Sequence, residues 1–383
     1  MPHTPARTVV VTGGRAPVAL DLVRHLASAG CRVVVAESMA WPLTRTSRAV
    51  ARSVRVPPPR QQPTAFLDAI ERIVRGERAS LVVPTCEESF TVAHLLARGV
   101  PVWTSSPGVL ARLHDKGAFA ETAAAAGVRV PETHRFTSRA ALARFLTDEW
   151  VIKPAFSRFG TDALVPPHRP RALAALCPSP ERPLVAQRFV VGRQICTYAL
   201  AHAGRVTAQA AYATPYVAGR AGVWFRHEHH AGALDATQRI ATCAGVTGQI
   251  ALDLIEDVQG RVWAIECNPR ATSGLHLFRG DPAFARAILH PDTVGVPVEP
   301  SGREAMLALP MLASGVAARF DRPWRTAFAS ARDVVSDAGD RLPAAGQLLT
   351  LATILARAAR HGIGPLAATT HDIEWNGEGR GDE

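Results

Sequence analysis

Lysine is nearly absent from this sequence of 383 residues. Among 43 lysines and arginines, only Lys116 and Lys153 are lysines. A GC-rich genome that writes basic positions as arginine would explain the shortage and make both lysines incidental. Alternatively, arginine is excluded from these two positions because a compact ammonium fits beside a phosphate where a planar guanidinium does not. The second explanation requires a phosphate site around both residues.

Aromatic residues are also few, at 6 %, although the net charge is +10. The arginines are scattered and no nucleic-acid-binding motif is present, so we expect no nucleic-acid partner. We interpret the positive surface as one that attracts anionic substrates such as nucleotides. Apolar residues make up 47 % and charged residues 20 %, which indicates a folded chain with room for two or three domains.

Paired cysteines and long apolar runs are missing as well. The six cysteines lie far apart in the sequence, without a C-x-x-C pair or metal-ligand spacing, which is typical of a reduced protein. The amino terminus leads directly into a strand pattern rather than a secretion signal. The longest uncharged apolar run, near residues 347–356, is too short to span a bilayer. We therefore expect a cytoplasmic protein without a membrane segment.

The first hundred residues alternate between strand and helix patterns. Strands are predicted at 7–12, 31–38, 80–85 and 100–106, with helices at 18–29, 64–75 and 87–99. This alternation predicts an α/β fold with a small, doubly wound parallel sheet. The turn Gly13-Gly14 lacks the G-x-G-x-x-G spacing of a dinucleotide site, so we interpret it as a tight strand-to-helix turn.

The pattern changes after residue 107. Two helical segments end at Gly127, a strand carries Lys153, and alternating strands follow residue 183. A helix is predicted at 233–249, two strands joined by a turn at 250–270, and a largely helical segment beyond residue 300.

The two strands before residue 269 carry a set of oxygen donors. Asp253 lies on the first strand, and Glu266 and Asn268 lie two apart on one face of the second. Carboxylate and amide oxygens without imidazole or thiolate suit a magnesium ion shared with a nucleoside triphosphate. A solvated hairpin edge is the alternative, but an unpaired charge at Glu266 would be costly in its apolar run. Arg270 follows, and backbone amides near Ser273 and Gly274 could face an anion.

Four segments follow one another along the chain: "LHDKGAFAETAAAAGVRVPET", "VIKPAFSRFG", "VAQRFVVGRQI" and "ALDLIEDVQGRVWAIECNPRATSG". Together they resemble ATP-grasp enzymes of the carbamoyl-phosphate-synthase-like and biotin-carboxylase-like branch. The resemblance covers the chain up to about residue 300. It implies a Rossmann-like pre-ATP-grasp domain at 1–107, a two-part ATP-grasp domain at 108–299 with a lid at about 130–190, and a mainly helical extension at 300–383.

The resemblance also implies roles for individual residues. The residues that match nucleotide-binding positions are Lys116 and Lys153 for phosphates, Ser157 and Gly160 in the loop over the phosphates, Gln187, Arg188, Phe189 and Val190 around adenine, and Gln194 at the ribose. The residues that match ligands of Mg²⁺ (or Mn²⁺) are Asp253, Glu266 and Asn268, and Arg270 with Lys153 would act on the transferred phosphoryl group. Glutamate is common in the family at the positions of Gln187 and Gln194, which puts nucleotide affinity in question.

The reaction implied by the resemblance joins a carboxylate to an amine through an acyl phosphate, with release of ADP and phosphate. Two alternatives stay open: an enzyme that activates bicarbonate, and a non-catalytic ATP-binding module. Expected partners are a small carboxylic acid, an amine and a second copy of the chain in a homodimer. The carboxyl-terminal "ATTHDIEWNGEG" resembles the tails of stand-alone ATP-grasp proteins in specialised biosynthesis.

Substrate residues are the least constrained by the sequence. Candidates are Glu87 and Glu88 at the end of a parallel strand, and Arg220 and Arg226 in the loop "VAGRAGVWFRHEHH". The two glutamates could bind the amino group of an amino acid, or they could simply begin the next helix, where acidic residues favour the helix dipole.

Overall fold

The computed structural model describes residues 7–158, 162–302 and 304–377. The amino-terminal domain contains the strands β1 (Thr8–Thr12), β2 (Arg32–Glu37), β3 (Arg52–Arg55) and β4 (Leu81–Val83). They form a parallel sheet in the order β3-β2-β1-β4. Side chains of Val9, Val10 and Val11 are fully buried because helices pack on both faces of the sheet. The predicted doubly wound parallel sheet is confirmed.

The helices of this domain are α1 (Pro17–Ser28), α2 (Pro63–Glu77) and α3 (Glu88–Val92), with a 3-10 helix at Ala93–Arg98. Proline at the first turn begins α1 and α2, where its missing amide leaves no bond unmade. The strand predicted at 100–106 is reduced to one parallel bridge between Val102 and Val82. Pro101 has no amide to donate and a helix follows at once, so this edge stays short. The charged strand β3, which was not predicted, forms the opposite edge.

Two helices connect this domain to a small antiparallel sheet, here called the lid. The connecting helices are α4 (Pro107–His114) and α5 (Lys116–Ala125). The lid contains β5 (Thr133–Phe136), α6 (Arg139–Leu142), β6 (Trp150–Pro154), α7 (Pro170–Ala174) and β7 (Leu184–Arg188), with strand order β5-β7-β6. Phe136, Phe145 and Trp150 form its aromatic core.

A seven-stranded sheet forms the centre of the molecule. Its strands are β8 (Gly192–His202), β9 (Arg205–Ala213), β12 (Trp224–His227), β13 (Gly248–Asp257), β14 (Val262–Asn268), β15 (Glu304–Met306) and β16 (Arg332–Asp333). The order is β14-β13-β8-β9-β12-β15-β16. A two-stranded ribbon of β10 (Val217–Ala218) and β11 (Ala221–Gly222) precedes β12. Helix α8 (Ala231–Ala244) and α5 pack on the face of the sheet that carries Ile195, Ile250 and Leu252.

Helices α9 (Pro282–Leu289), α10 (Ala308–Ala317), α11 (Arg322–Ser330), α12 (Leu342–His361) and α13 (Pro365–Ala368) complete the described chain. The segment beyond residue 300 is largely helical as predicted, yet β15 and β16 come from it and extend the central sheet. The segment beyond residue 300 therefore contributes two strands to the central sheet.

Helix α12 is longer than the apolar run that the sequence suggested. By length and composition alone, its 20 residues are enough to cross a membrane. Within the protein, 22 % of its most apolar stretch is buried. In the structure α12 packs along the 3-10 turn Leu43–Thr46, and a side chain on Gly346 would collide with Thr46. The helix is thus docked on the amino-terminal domain along one face.

Candidate functional site

The predicted oxygen donors lie together on the hairpin of β13 and β14. Asp253 is directly opposite Glu266 in the antiparallel register, and Asn268 follows two residues later on the same face. The register then shifts, because Ile265 is an extra residue on β14. This bulge leaves the Ile265 carbonyl able to accept bonds from Lys153 Nζ, at 3.4 Å, and from a neighbouring amide.

Both lysines of the chain meet at Glu266. Its Oε2 lies 3.6 Å from Lys116 Nζ and 3.8 Å from Lys153 Nζ, and both lysine side chains are almost fully buried. Lys116 begins helix α5 and also donates to the carbonyl of Ser157. Lys153 comes from lid strand β6 and donates to Gln187 Oε1 at 3.0 Å. The two lysines therefore occupy one cluster, although they are far apart in the sequence.

Charges in this cluster shift one another's pKa values. Burial lowers the pKa of Lys153 to about 8, although Glu266 acts in the opposite direction. Burial acts to raise the pKa of Glu266, but the two lysines outweigh it and hold that pKa below its usual range. Burial and then the adjacent Glu266 carboxylate raise the pKa of Asp253. Two carboxylates side by side, with one tending to hold a proton, form a site where a divalent cation would relieve repulsion.

Asn268 and Arg270 continue the cluster toward the amino-terminal domain. Asn268 Nδ2 donates to Asp253 Oδ2 at 3.4 Å, and Arg270 Nη2 donates to Asn268 Oδ1 at 3.1 Å. Arg270 also lies 3.7 Å from Glu87 Oε1. Its buried Nε has no hydrogen-bond partner within the described residues. With the bond from Nη1 to the Ala271 carbonyl, the guanidinium is thus held by three neighbours and retains a donor for an anion.

The two glutamates proposed for substrate binding have different surroundings. Glu88 Oε1 accepts from the Thr12 hydroxyl and from the amides of Thr85 and Cys86, which fixes the start of α3 beneath the Gly13 turn. Glu87 instead points toward the cluster, where Arg158 Nε lies 2.9 Å from both of its oxygens. The geometry favours a supporting role for Glu88 and leaves Glu87 as the substrate candidate. Burial raises the pKa of the Cys86 thiol, which opposes a nucleophilic role.

The remaining predicted nucleotide residues lie on lid strand β7, in the segment after it, on β8 and beside Lys116. Gln187 is buried on β7, and the amides of Arg188 and Phe189 donate to the carbonyls of Glu132 and Glu149 within the lid. Gln194 lies on β8, and its Nε2 contacts Cys196 Sγ at 3.8 Å. Ser157 is buried beside Lys116. The predicted phosphate-loop residue Gly160 lies outside the described residues.

The other substrate candidates contact other parts of the chain. Arg220 donates to the carbonyl of Ala163. Arg226 lies on β12, where its side chain is exposed and donates to Glu228. Ser273 and Gly274 begin a 3-10 turn, where a side chain on Gly274 would collide with Tyr198 and Tyr212. Gly274 therefore serves close packing behind the site.

Sequence reasoning missed several contributors. Cys196 on β8 faces Asp253 in the register and donates to its Oδ1 at 3.2 Å. His114 lies in the same region, and burial lowers its pKa to about 3, so it is neutral near pH 7. Within the described chain, no group of three or more His, Cys, Asp or Glu side chains is arranged to hold a metal. The oxygen set here contains two carboxylates and one amide, which suits Mg²⁺ that keeps waters and phosphate ligands.

Comparisons of sequence find no matching family model and no similar curated protein. Comparisons of structure find many similar enzymes. An L-amino acid ligase from Bacillus licheniformis superposes with a TM-score of 0.60 at 15 % identity, over 76 % of this chain and 75 % of that chain. N5-carboxyaminoimidazole synthetase from Staphylococcus aureus, solved with ADP, gives 0.63 at 12 % identity, over 82 % and 86 %.

A third similar structure is the biotin carboxylase domain of 2-oxoglutarate carboxylase from Hydrogenobacter thermophilus, solved with MgADP, ADP and bicarbonate. It superposes with a TM-score of 0.60 at 14 % identity, over 76 % of this chain and 71 % of that chain. Each of these three similarities covers 76 % or more of this chain. The chain has the ATP-grasp fold.

Proposed function

We propose that this protein is an ATP- and Mg²⁺-dependent carboxylate–amine ligase that forms an amide bond through an acyl phosphate. The observation that carries the proposal is the position of Glu266, which faces Asp253 and lies within 4 Å of both lysines of the chain. The superposed L-amino acid ligase supports the same class of reaction. The reaction would take place in the cytoplasm, with small molecules as both substrates.

Nucleotide binding is assigned to the surface between the lid and the central sheet. Lys116 and Lys153 would bind phosphate oxygens, and Arg270 would bind the phosphoryl group during transfer. Residues 187–190 would border adenine, with Gln194 at the ribose. Lys116, Lys153 and Arg270 would offer the positive charge that attracts an anion to this site.

The metal would be held by Asp253, Glu266 and Asn268. All three present oxygen atoms, and the raised pKa of Asp253 beside Glu266 marks a place where added positive charge is favourable. When bound there, Mg²⁺ would neutralise phosphate charge. Glu266 would also keep both lysine side chains oriented toward the phosphates.

The chemical steps need little covalent work from the protein. A carboxylate oxygen of the acid attacks the γ-phosphorus while the bond to the β–γ bridging oxygen breaks, so that ADP leaves. The amine nitrogen then attacks the acyl carbon, phosphate leaves, and the nitrogen loses a proton. Lys153 and Arg270 would stabilise charge on the transferred group, and the lid would exclude water from the acyl phosphate. Glu87, which lies beside Arg158 and Arg270, would bind a cationic group of a substrate.

Activation of bicarbonate is the second candidate, because the similar structures include a biotin carboxylase domain solved with bicarbonate. Both candidates predict ADP release, but only one of them depends on bicarbonate. A non-catalytic module is disfavoured because the oxygen set, both lysines and Arg270 are all present together.

The test is ADP release by the purified protein with ATP and Mg²⁺, measured against pools of amino acids and other carboxylic acids in carbonate-free buffer. Hydroxylamine serves as a surrogate amine, so that an acyl phosphate is recorded as a hydroxamate. Hydroxamate formation with one pool supports the ligase, and release that requires added bicarbonate supports the alternative. ATP binding without ADP release under any of these conditions would contradict both.

A further inference from the structure

The carboxyl-terminal residues 369–377, here called the tail, cross from helix α13 to the lid. Asp372 is buried and forms ion pairs with Arg15 of the amino-terminal domain, at 2.5 Å, and with Arg357 of α12. Glu374 forms ion pairs with Arg60 and, at 2.9 Å, with Arg158. Because Arg60 belongs to the amino-terminal domain and Arg158 follows lid strand β6, the Glu374 carboxylate joins the two units directly.

Trp375 makes an apolar connection at the same place. Its ring stacks on Phe90 of α3, with centroids 4.7 Å apart and an angle of 12° between the planes. It also meets Phe156 of the lid edge on, with centroids 5.4 Å apart. Phe90 and Phe156 belong to two separate apolar clusters, and Trp375 packs against both of them. The indole therefore fills the junction between the lid and the amino-terminal domain.

The tail backbone reaches the candidate site itself. The amide of Trp375 donates to Glu87 Oε2 at 3.1 Å, and its carbonyl accepts from Arg158 Nη2 at 3.2 Å. Asn376 Oδ1 accepts from the same Arg158 nitrogen at 2.8 Å. Glu87, in turn, lies 3.7 Å from Arg270. The tail thus contacts Arg158 and Glu87, and Glu87 lies beside Arg270, the arginine proposed to bind the phosphoryl group.

We propose that Glu374 and Trp375 are positioning residues that hold the lid against the amino-terminal domain and set Arg158 and Glu87 beside Arg270. The catalytic consequence rests on the proposed function: a lid held by the tail keeps water from the acyl phosphate. Loss of the tail contacts loosens the lid, so that ATP is hydrolysed without amide formation.

The first test is hydrogen–deuterium exchange on the free protein, which requires no substrate. Trp375→Ala is expected to speed exchange in β6 and β7 by on the order of tenfold, the change that a loss of about 1.4 kcal/mol produces. Glu374→Gln should act in the same direction by a smaller factor and covers the case in which Trp375→Ala does not fold. Trp375→Phe, which keeps an aromatic ring between the clusters, should restore slow exchange.

Matched controls lie within the amino-terminal domain. Trp41→Ala removes an exposed tryptophan, and Glu77→Gln removes a carboxylate that bridges Arg32 and Arg52 in the way that Glu374 bridges its two arginines. Both controls should leave exchange in β6 and β7 unchanged. Lid exchange equal to that of the wild type in both tail variants would overturn the proposal.

The second readout is the ratio of ADP released to hydroxamate formed. A higher ratio in the tail variants is expected, because water then competes for the acyl phosphate. Faster turnover at an unchanged ratio would overturn the positioning role and identify the tail as an inhibitory segment. If the wild type releases no ADP with any acid, the proposed function fails, while the exchange experiment still decides whether the tail holds the lid.

Discussion

Replacing Glu266 with glutamine is the sharpest test of the cluster, because Oε2 of Glu266 contacts both lysines. Glu266 Oε2 lies 3.6 Å from Lys116 Nζ and 3.8 Å from Lys153 Nζ. At an effective dielectric constant of about 20, each contact contributes an attraction of about 4 kcal/mol before desolvation is subtracted. Glutamine keeps the shape of the side chain, removes this charge, and weakens the proposed metal site.

The expected result is a folded protein that responds weakly to metal. Glutamine removes one of the two carboxylates of the proposed metal site, so we expect at least a tenfold increase in the Mg²⁺ concentration needed for half-maximal ADP release, which corresponds to about 1.4 kcal/mol. The midpoint is measured at saturating ATP. Bound Mn²⁺ in the presence of ADP, counted by electron paramagnetic resonance, gives a second measurement that needs no acid substrate.

Two comparisons make the result interpretable. Glu77→Gln, which removes a carboxylate between two surface arginines, should leave the Mg²⁺ midpoint unchanged. Thermal unfolding of Glu266→Gln separates loss of metal binding from loss of fold. A Mg²⁺ titration and a Mn²⁺ count identical to those of the wild type would refute the metal assignment.

Three further predictions concern activity and stability. Lys153→Arg should abolish turnover although the charge is conserved. The ammonium donates to Gln187 Oε1 at 3.0 Å in a buried space that a guanidinium would overfill. Near-normal ADP release by this variant would contradict the prediction. Gly13→Ala should lower the free energy of unfolding by roughly 2 kcal/mol in a denaturant titration. Gly13 has a φ of 75°, and an added Cβ would lie 2.4 Å from Thr85 Oγ1. An unchanged denaturation midpoint would contradict this prediction. Burial lowers the pKa of His25 to about 4. Between pH 6.5 and 4 the unfolded chain therefore binds more protons than the folded chain, so the free energy of unfolding falls as the pH is lowered through that window, by about 3 kcal/mol in total. His25→Phe should remove this part of the acid loss, and equal pH profiles for the two proteins would refute the assignment.

Local patterns in the sequence were sufficient to predict the hairpin and its oxygen donors. A period of two places Glu266 and Asn268 on one face of a strand wherever that strand lies. The scarcity of lysine singled out two positions that the structure brings to one carboxylate. These signals depend on neighbours in sequence or on residue identity alone.

Contacts between distant segments could not be predicted in this way. Cys196 lies beside Asp253 only because β8 is the neighbour of β13, and strand order is set by packing of the whole sheet. The tail residue Trp375 and Glu87 are 288 positions apart, and no periodicity links them. The short strand β15 also depends on pairing with β12 rather than on its own sequence.

Hydrogen bonds around Gln187 explain why an amide occupies a position where the resemblance would allow a carboxylate. The Thr133 hydroxyl donates to the Pro131 carbonyl, so its oxygen is free to accept, and Gln187 Nε2 donates to it at 3.1 Å. The same nitrogen lies 3.4 Å from the bulged carbonyl of Ile265. An ionised glutamate has no N–H to donate and would place negative charge against the Ile265 carbonyl oxygen. Gln187 can still accept from Lys153 through its oxygen. The amide is therefore matched to its neighbours in this chain, and its presence is no argument for a degraded nucleotide site.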